Sequence, residues 1–331
     1  MRRRARRRAP GRSGPQGIVT LLTDFGHDDA YVGTVKGVLL SINPAARLVD
    51  LTHAVPPQDV RRGALLLEGA WRFFPRGTVH LAVVDPGVGG TRRAIAVRAG
   101  GQYFVGPDNG LLSFCFDVPG ARGVVLTEPR YRRRPVSRTF HGRDVFAPAA
   151  AHLSRGVRLS ALGPVLRRPV RLPPPRLGGS GGRLEGEVLL VDRFGNLLTS
   201  LPGRALGGPR ARGVLRVGGA RVRGLAGTYA DRPRQALGAV VDSSGRVEVF
   251  VREGSAAARL GVGPGARVSW RAPGSASPGS SRSRSGRSLK PHRRSSRPRR
   301  RMTASSRGWP SRRSTSSRPP SPSSGPRRDS P

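Results

Sequence analysis

Cysteine and lysine are nearly missing from this sequence, and each absence excludes something. One cysteine, Cys115, leaves no pair for a disulfide within the 331 residues. It lies in the apolar run GLLSFCF, where a small buried thiol is expected. Histidine occurs six times without a His-x-x-x-His pair, and with no cysteine cluster the sequence predicts no dedicated metal site. No apolar run reaches the roughly 20 residues of a membrane span. The arginine-rich start resembles the first part of an export signal, but the apolar stretch that should follow it is missing. GVGPGARV, residues 261–268, has glycines but no helix pattern after it, so it fails as a dinucleotide-binding loop. A cytoplasmic protein without a membrane partner is expected.

Acidic residues are scarce as well, 19 against 60 basic ones, of which only Lys36 and Lys290 are lysines. Residues 1–16 carry seven arginines and no acid, and residues 271–331 carry sixteen arginines and Lys290 against Asp329 alone. More than half of the net +41 therefore lies in the ends. Both ends lack the apolar content that offsets the entropy of ordering a chain, and they read as disordered. Arginine runs can hold phosphate without a fold. A lone aromatic, Trp309, does not interleave the tail for base stacking, so it reads as a non-functional extension. Nucleic acid is expected as a partner only through these ends.

What remains is long enough for two domains. Residues 17–166 alternate strand-like runs (GIVTLLTDFG, ARLVDLTHAVPP, TVHLAVVDPGVG) with helical patterns (DAYVGTVKGVLLSINP, QDVRRGALLLEGAWRFFP). That alternation predicts an α/β domain, a mainly parallel sheet flanked by helices. After a Pro/Gly-rich linker, residues 167–183, short alternating strands over 184–270 predict a smaller all-β, barrel-like domain.

Ligands of open α/β sheets bind beyond the carboxyl ends of the strands. Asp24, Asp50 and Asp85 fall at the ends of the first three predicted strands, three carboxylates on one sheet edge. The third opens VVDPGVGGTRR (83–93), an apolar strand breaking into a glycine-rich turn with arginines at its far end.

Six stretches in order resemble the S-adenosyl-L-methionine hydrolases (SAM hydroxide adenosyltransferases), relatives of the fluorinases and chlorinases. They are LLTDFGHDDAYVGTVKGV (21–38), DLTHAVPPQDVRRGA (50–64), VVDPGVGGTRR (83–93), FVGPDNGLLS (104–113), TFHGRDVFAPAAAHL (139–153) and VDRFGNLLTSL (191–201). The resemblance implies a catalytic trio of Asp85, Arg92 and His141 around one water molecule. It implies that Asp24 accepts the ribose hydroxyls, and that Asp192, Phe194 and Asn196 handle the methionine end. Ser243 and Ser244 resemble the stretch that supplies contacts to adenine. It further implies a homotrimer with the site between subunits, and no cofactor, the S-adenosylmethionine being substrate.

The fluorinase branch replaces the Asp of VDPG and the His of FHGRD, and inserts a loop after the third strand. Here both residues are present and the connection GGTRRAIAV is short, so water rather than halide is the expected nucleophile. An arginine beside Asp85 keeps a carboxylate charged, which leaves the proton to His141 or makes the nucleophile a positioned hydroxide. A halide transferase and an arginine-rich nucleic-acid-binding protein are the alternatives.

Overall fold

A computed structural model describes residues 17–274. The basic ends read as disordered, 1–16 and 271–331, lie outside the described residues except for residues 271–274, and Arg271 closes the last strand.

The first domain is built on a six-stranded sheet. Its strands are β1 (Ile18–Thr23), β2 (Arg47–Thr52), β3 (Val79–Val83), β4 (Ala94–Ala99), β5 (Gln102–Pro107) and β6 (Arg122–Val125), in the order β2-β1-β3-β5-β4-β6. The pairs β2–β1, β1–β3 and β3–β5 are parallel. β4 runs antiparallel to both β5 and β6, because only a two-residue turn at Gly100 and Gly101 joins it to β5.

Neighbouring strand residues feed opposite layers. Leu21, Leu81 and Val83 pack with helices α1 (Tyr31–Ile42) and α3 (Ala147–Ser154), while Leu22, Ala82 and Val84 pack with α2 (Val60–Ala70). This is why the strands read as continuous apolar runs: both faces are covered. The α2 helix starts where the Asp59 side chain accepts the Arg62 N–H at 2.9 Å.

The second domain is antiparallel. Its strands are β7 (Leu177–Gly178), β8 (Arg183–Val191), β9 (Leu197–Pro202), β10 (Val214–Val217), β11 (Ala220–Arg223), β12 (Leu237–Val241), β13 (Arg246–Val251) and β14 (Arg267–Arg271), with one short helix, α4 (Ala256–Leu260). The order is β11-β10-β14-β8-β9-β13-β12, with β7 beside β8. The two edges nearly meet: Ala226, just past β11, donates its N–H to Ala239 of β12 at 2.7 Å and bridges Val240. The barrel-like sheet encloses Leu215, Val217, Val247, Val249, Val268 and Trp270.

The linker is strapped down rather than free. Arg93 donates to the carbonyls of Arg167 and Arg168 at 2.8 and 2.7 Å, and Asp108 accepts the Val170 N–H at 2.9 Å. Its glycine cluster, read as linker, turns β7 back onto β8, with Gly179, Gly181 and Gly182 at positive φ.

Candidate active site

The turn after β3 carries the chemistry. Asp85 follows the strand by two residues, and the chain doubles back so that Arg92 faces it. Arg92 Nε donates to Asp85 Oδ1 and Oδ2 at 2.8 and 3.1 Å, and a terminal nitrogen of the same guanidinium also reaches Oδ2. That nitrogen lies 2.8 Å from His141 Nδ1. Both members of the Asp85–Arg92 pair are largely withdrawn from solvent, at 6% and 10% exposed side chain. The guanidinium also sits 5.2 Å from the centre of the Phe146 ring.

Glycine makes the turn possible. Gly89 has φ +76°, and a Cβ there would lie 2.3 Å from the carbonyl oxygen of Arg138. The two loops that bear Asp85 and His141 therefore touch backbone to backbone. His141 itself precedes Gly142–Phe146, one wide π-helical turn ahead of α3. Asp144, fully buried in that turn, accepts the Ser137 N–H at 2.9 Å and Arg143 Nε at 2.7 Å, fixing the loop's shape. Burial pulls the Asp144 carboxyl up, but Arg143 and the Ser137 amide outweigh it and hold it below the ordinary value.

A guanidinium has donors only. His141 Nδ1 must therefore be the acceptor of the Arg92 contact, and the ring proton of the neutral imidazole sits on Nε2. Burial, then the Arg92 charge, hold His141 below the ordinary imidazole value; Arg132 adds to this, and Asp85 and Asp144 oppose it.

Asp85 and His141, with Arg92 behind them, open onto a cleft of about 490 Å³ lined also by Asp24, Phe25, Tyr31, Gln58 and Phe140. Asp24 Oδ2 accepts the Gln58 N–H at 2.8 Å. Three rings form one wall: Phe25–Tyr31, Phe25–Phe140 and Tyr31–Phe140 centroids are 5.9, 6.0 and 5.3 Å apart. Sequence reading missed this wall, because its rings come from two segments that only the fold brings together.

Asp50 does not share the cleft. It lies two residues short of the end of β2 and pairs with Lys36 at 2.6 Å and His53 at 3.0 Å, so the carboxylates lining the cleft from the three strand ends are Asp24 and Asp85. Arg93 is committed to the linker and Asp108, and Arg143 to Asp144.

Asp192, Phe194 and Asn196 line a different cleft, of about 610 Å³, in the second domain. Asp192 Oδ1 accepts the N–H groups of Phe194 and Asn196, both at 2.8 Å, and its Oδ2 accepts Asn196 Nδ2 at 3.1 Å. Phe194 is left 77% exposed on top of this turn. Phe250, the last residue of the stretch SSGRVEVF that begins with Ser243 and Ser244, shares the cleft with Tyr229, Arg252 and Gly254, which were not singled out from sequence; the TYAD turn with its aromatic was the available signal. Tyr229 donates its hydroxyl to Glu248 at 2.8 Å, and burial raises that carboxyl above its ordinary value.

Ser243 and Ser244 are brought to neither cleft. They sit at the tip of the β12–β13 hairpin beside Glu68, Arg72 and Arg246, and the Ser244 amide and hydroxyl both donate to Asp242. Among the described residues no three His, Cys, Asp or Glu side chains converge to hold a metal ion, and no helix is long and apolar enough to cross a membrane.

Comparison with known proteins finds two family models matching successive stretches of the chain. The SAM hydroxide adenosyltransferase N-terminal domain matches residues 19–163 and the C-terminal domain matches residues 186–269, together more than half of the chain. The chain belongs to the SAM hydroxide adenosyltransferase family. It is 45% identical to an (R)-S-adenosyl-L-methionine hydrolase of Thermus thermophilus, over 76% of this chain and 98% of that one. A hydrolase of the same name from Salinispora tropica is 44% identical, over 77% and 97%. The crystal structure of an uncharacterized conserved protein from Thermotoga maritima superposes with a TM-score of 0.73 at 35% identity, covering 76% of this chain and 99% of that one.

Proposed function

We propose that this protein hydrolyses S-adenosyl-L-methionine to adenosine and L-methionine. The observation that carries the reading is the single guanidinium of Arg92 gripping both Asp85 and His141, the two side chains that line one cleft with Asp24. The kinship with the Thermus and Salinispora hydrolases supports it.

The chemistry asks little of a leaving-group catalyst. Sulfonium sulfur departs as a neutral thioether without protonation, so the protein's task is to supply an oxygen nucleophile in line with C5′ at about 3–3.5 Å. The water oxygen forms the new bond to C5′, the C5′–S bond breaks, its electron pair stays on sulfur, and a water proton leaves to solvent. With its Nδ1 occupied by Arg92, His141 presents Nε2–H as a donor. Arg92 adds positive charge where hydroxide character develops. This favours a positioned hydroxide over His141 as the base, with Asp85 orienting Arg92.

Asp24 accepts the ribose hydroxyls, and the Phe25, Tyr31 and Phe140 wall excludes water. Asp192 faces the α-ammonium, with Phe194 and Asn196 beside it. Because the two clefts are separate in one chain, we place the complete site between the first domain of one subunit and the second of a neighbour, in a homotrimer. The trio supplies all the chemistry, with neither metal nor cofactor. The single cysteine suits a cytoplasmic enzyme. We confine any nucleic-acid contact to the basic ends, so deleting residues 275–331 leaves hydrolysis intact.

The test is adenosine release from S-adenosylmethionine by purified protein in the presence of a chelator. Turnover is expected, and its abolition by the chelator, or chloride-dependent formation of a chlorinated nucleoside in its place, overturns the reading.

A further inference from the structure

Behind the Asp24 side of the cleft runs a chain of buried contacts that the reaction as described leaves unused. His53 is fully buried, with Nδ1 2.7 Å from Thr23 Oγ1 and Nε2 3.0 Å from Asp50 Oδ1. The Nε2–Oδ1 approach is close but imperfectly aligned for a hydrogen bond. Asp50 Oδ2 in turn accepts Lys36 Nζ at 2.6 Å, and Lys36 is the lone lysine among the described residues. At the other end, Thr23 Oγ1 accepts the Phe25 N–H at 3.2 Å.

The direction of every link can be worked out. Burial pulls the Asp50 carboxyl up, but the Lys36 hydrogen bond and the close His53 ring outweigh it and hold it below its ordinary value, so it is an anion at neutral pH. An anion beside Nε2 places the ring proton there and makes Nδ1 the acceptor. Thr23 must then give its hydroxyl hydrogen to Nδ1, which leaves its lone pairs for the Phe25 N–H. Links that all point one way reinforce one another.

Asp24 lies between the two anchored residues, Thr23 and Phe25. The same stretch holds it from above: the Gly26 N–H donates to the His53 carbonyl at 2.9 Å, and Gln58, at φ +67°, donates its N–H to Asp24 Oδ2. A non-glycine residue kept at positive φ is a cost that the surrounding contacts must offset.

We propose that His53 is a positioning residue for the reaction: its imidazole, seated on Asp50 and acting through Thr23, sets the carboxylate of Asp24 that receives the ribose hydroxyls. The inference rests on the hydrolase reading above. It implies that losing the imidazole or the Thr23 hydroxyl damages ribose recognition specifically rather than activity at large.

The experiment measures kcat and KM on S-adenosylmethionine and on its 2′-deoxy analogue for the full chain and for Thr23→Val, His53→Leu and His53→Asn, with melting curves for each. Thr23→Val and His53→Leu are expected to raise KM for S-adenosylmethionine by about tenfold with a smaller change in kcat, and to change KM for the deoxy analogue by less than about threefold. His53→Asn, which restores an acceptor near the Nδ1 position, recovers part of the loss. Should His53→Leu fail to fold, Thr23→Val, the loss of one hydroxyl at constant shape, carries the same comparison. Equal losses on both substrates, or none on either, overturn the inference while the hydrolase reading stands. A wild-type protein that releases no adenosine overturns that reading itself, and this inference with it.

Discussion

The guanidinium of Arg92 lies 2.8 Å from Nδ1 of His141, and that contact has only one possible polarity. It makes the imidazole a hydrogen-bond donor toward the cleft and ties its position to the guanidinium.

An acid limb in the pH profile follows. Protonated Nδ1 can no longer accept from Arg92, so the trio is intact only while His141 is neutral. Burial and Arg92 hold its pKa below the ordinary 6.5, so the additional loss of kcat/KM from breaking the trio is expected only below about pH 6.5. On the alkaline side a positioned hydroxide keeps the rate rising, whereas a plateau beginning near neutrality points to a general base.

Arg92→Lys keeps the charge but loses the forked contact to Asp85 and the bond to His141. A drop in kcat of roughly 10²–10³-fold is expected. Steady-state kinetics decide, and a variant within a factor of about three of wild type would show that the fork is dispensable.

Gly89→Ala puts a methyl group against the Arg138 carbonyl at a positive φ. The cost is roughly 2 kcal/mol or more, and the two site loops must separate to relieve it. Denaturant unfolding and adenosine release should both suffer; a variant with native stability would mean that the loops do not meet as described.

His80 predicts a stability slope unrelated to catalysis. It is fully buried between Thr20 Oγ1 and Gln102 Oε1, and burial, against the pull of the Gln102 bond, lowers its pKa from 6.5 to about 4. The unfolded chain takes up this proton below pH 6.5 while the fold refuses it until about pH 4. The contribution is therefore complete above pH 6.5 and is lost as pH falls toward 4, by roughly 3 kcal/mol. Urea midpoints measured at pH 7.5 and 4.5 should diverge more for wild type than for His80→Gln.

Much of this was legible in the sequence. The runs IVTLLT and VHLAV read as doubly covered strands because they are, and Asp85 and Arg92 are close in space because a glycine turn needs only seven residues to bring them together. His141 was placed by resemblance, and the geometry adds what resemblance does not carry, the polarity of its bond. What stayed hidden depends on direction and distance. Asp50 looked like a third strand-end carboxylate, but its side chain is tied to Lys36 and His53 and is absent from the cleft lining. The aromatic wall and the His53 chain join segments 30 or more residues apart, and local pattern carries no sign of either.

Isotope labelling tests the central claim most directly. S-adenosylmethionine turned over in ¹⁸O-water by wild type and by Arg92→Ala is followed by mass spectrometry of the nucleoside. Wild type should give adenosine carrying one ¹⁸O at the 5′ position, with release by the variant reduced at least about a hundredfold. Unlabelled adenosine, or a variant that forms the labelled product as fast as wild type, would contradict a water held by Arg92 between Asp85 and His141.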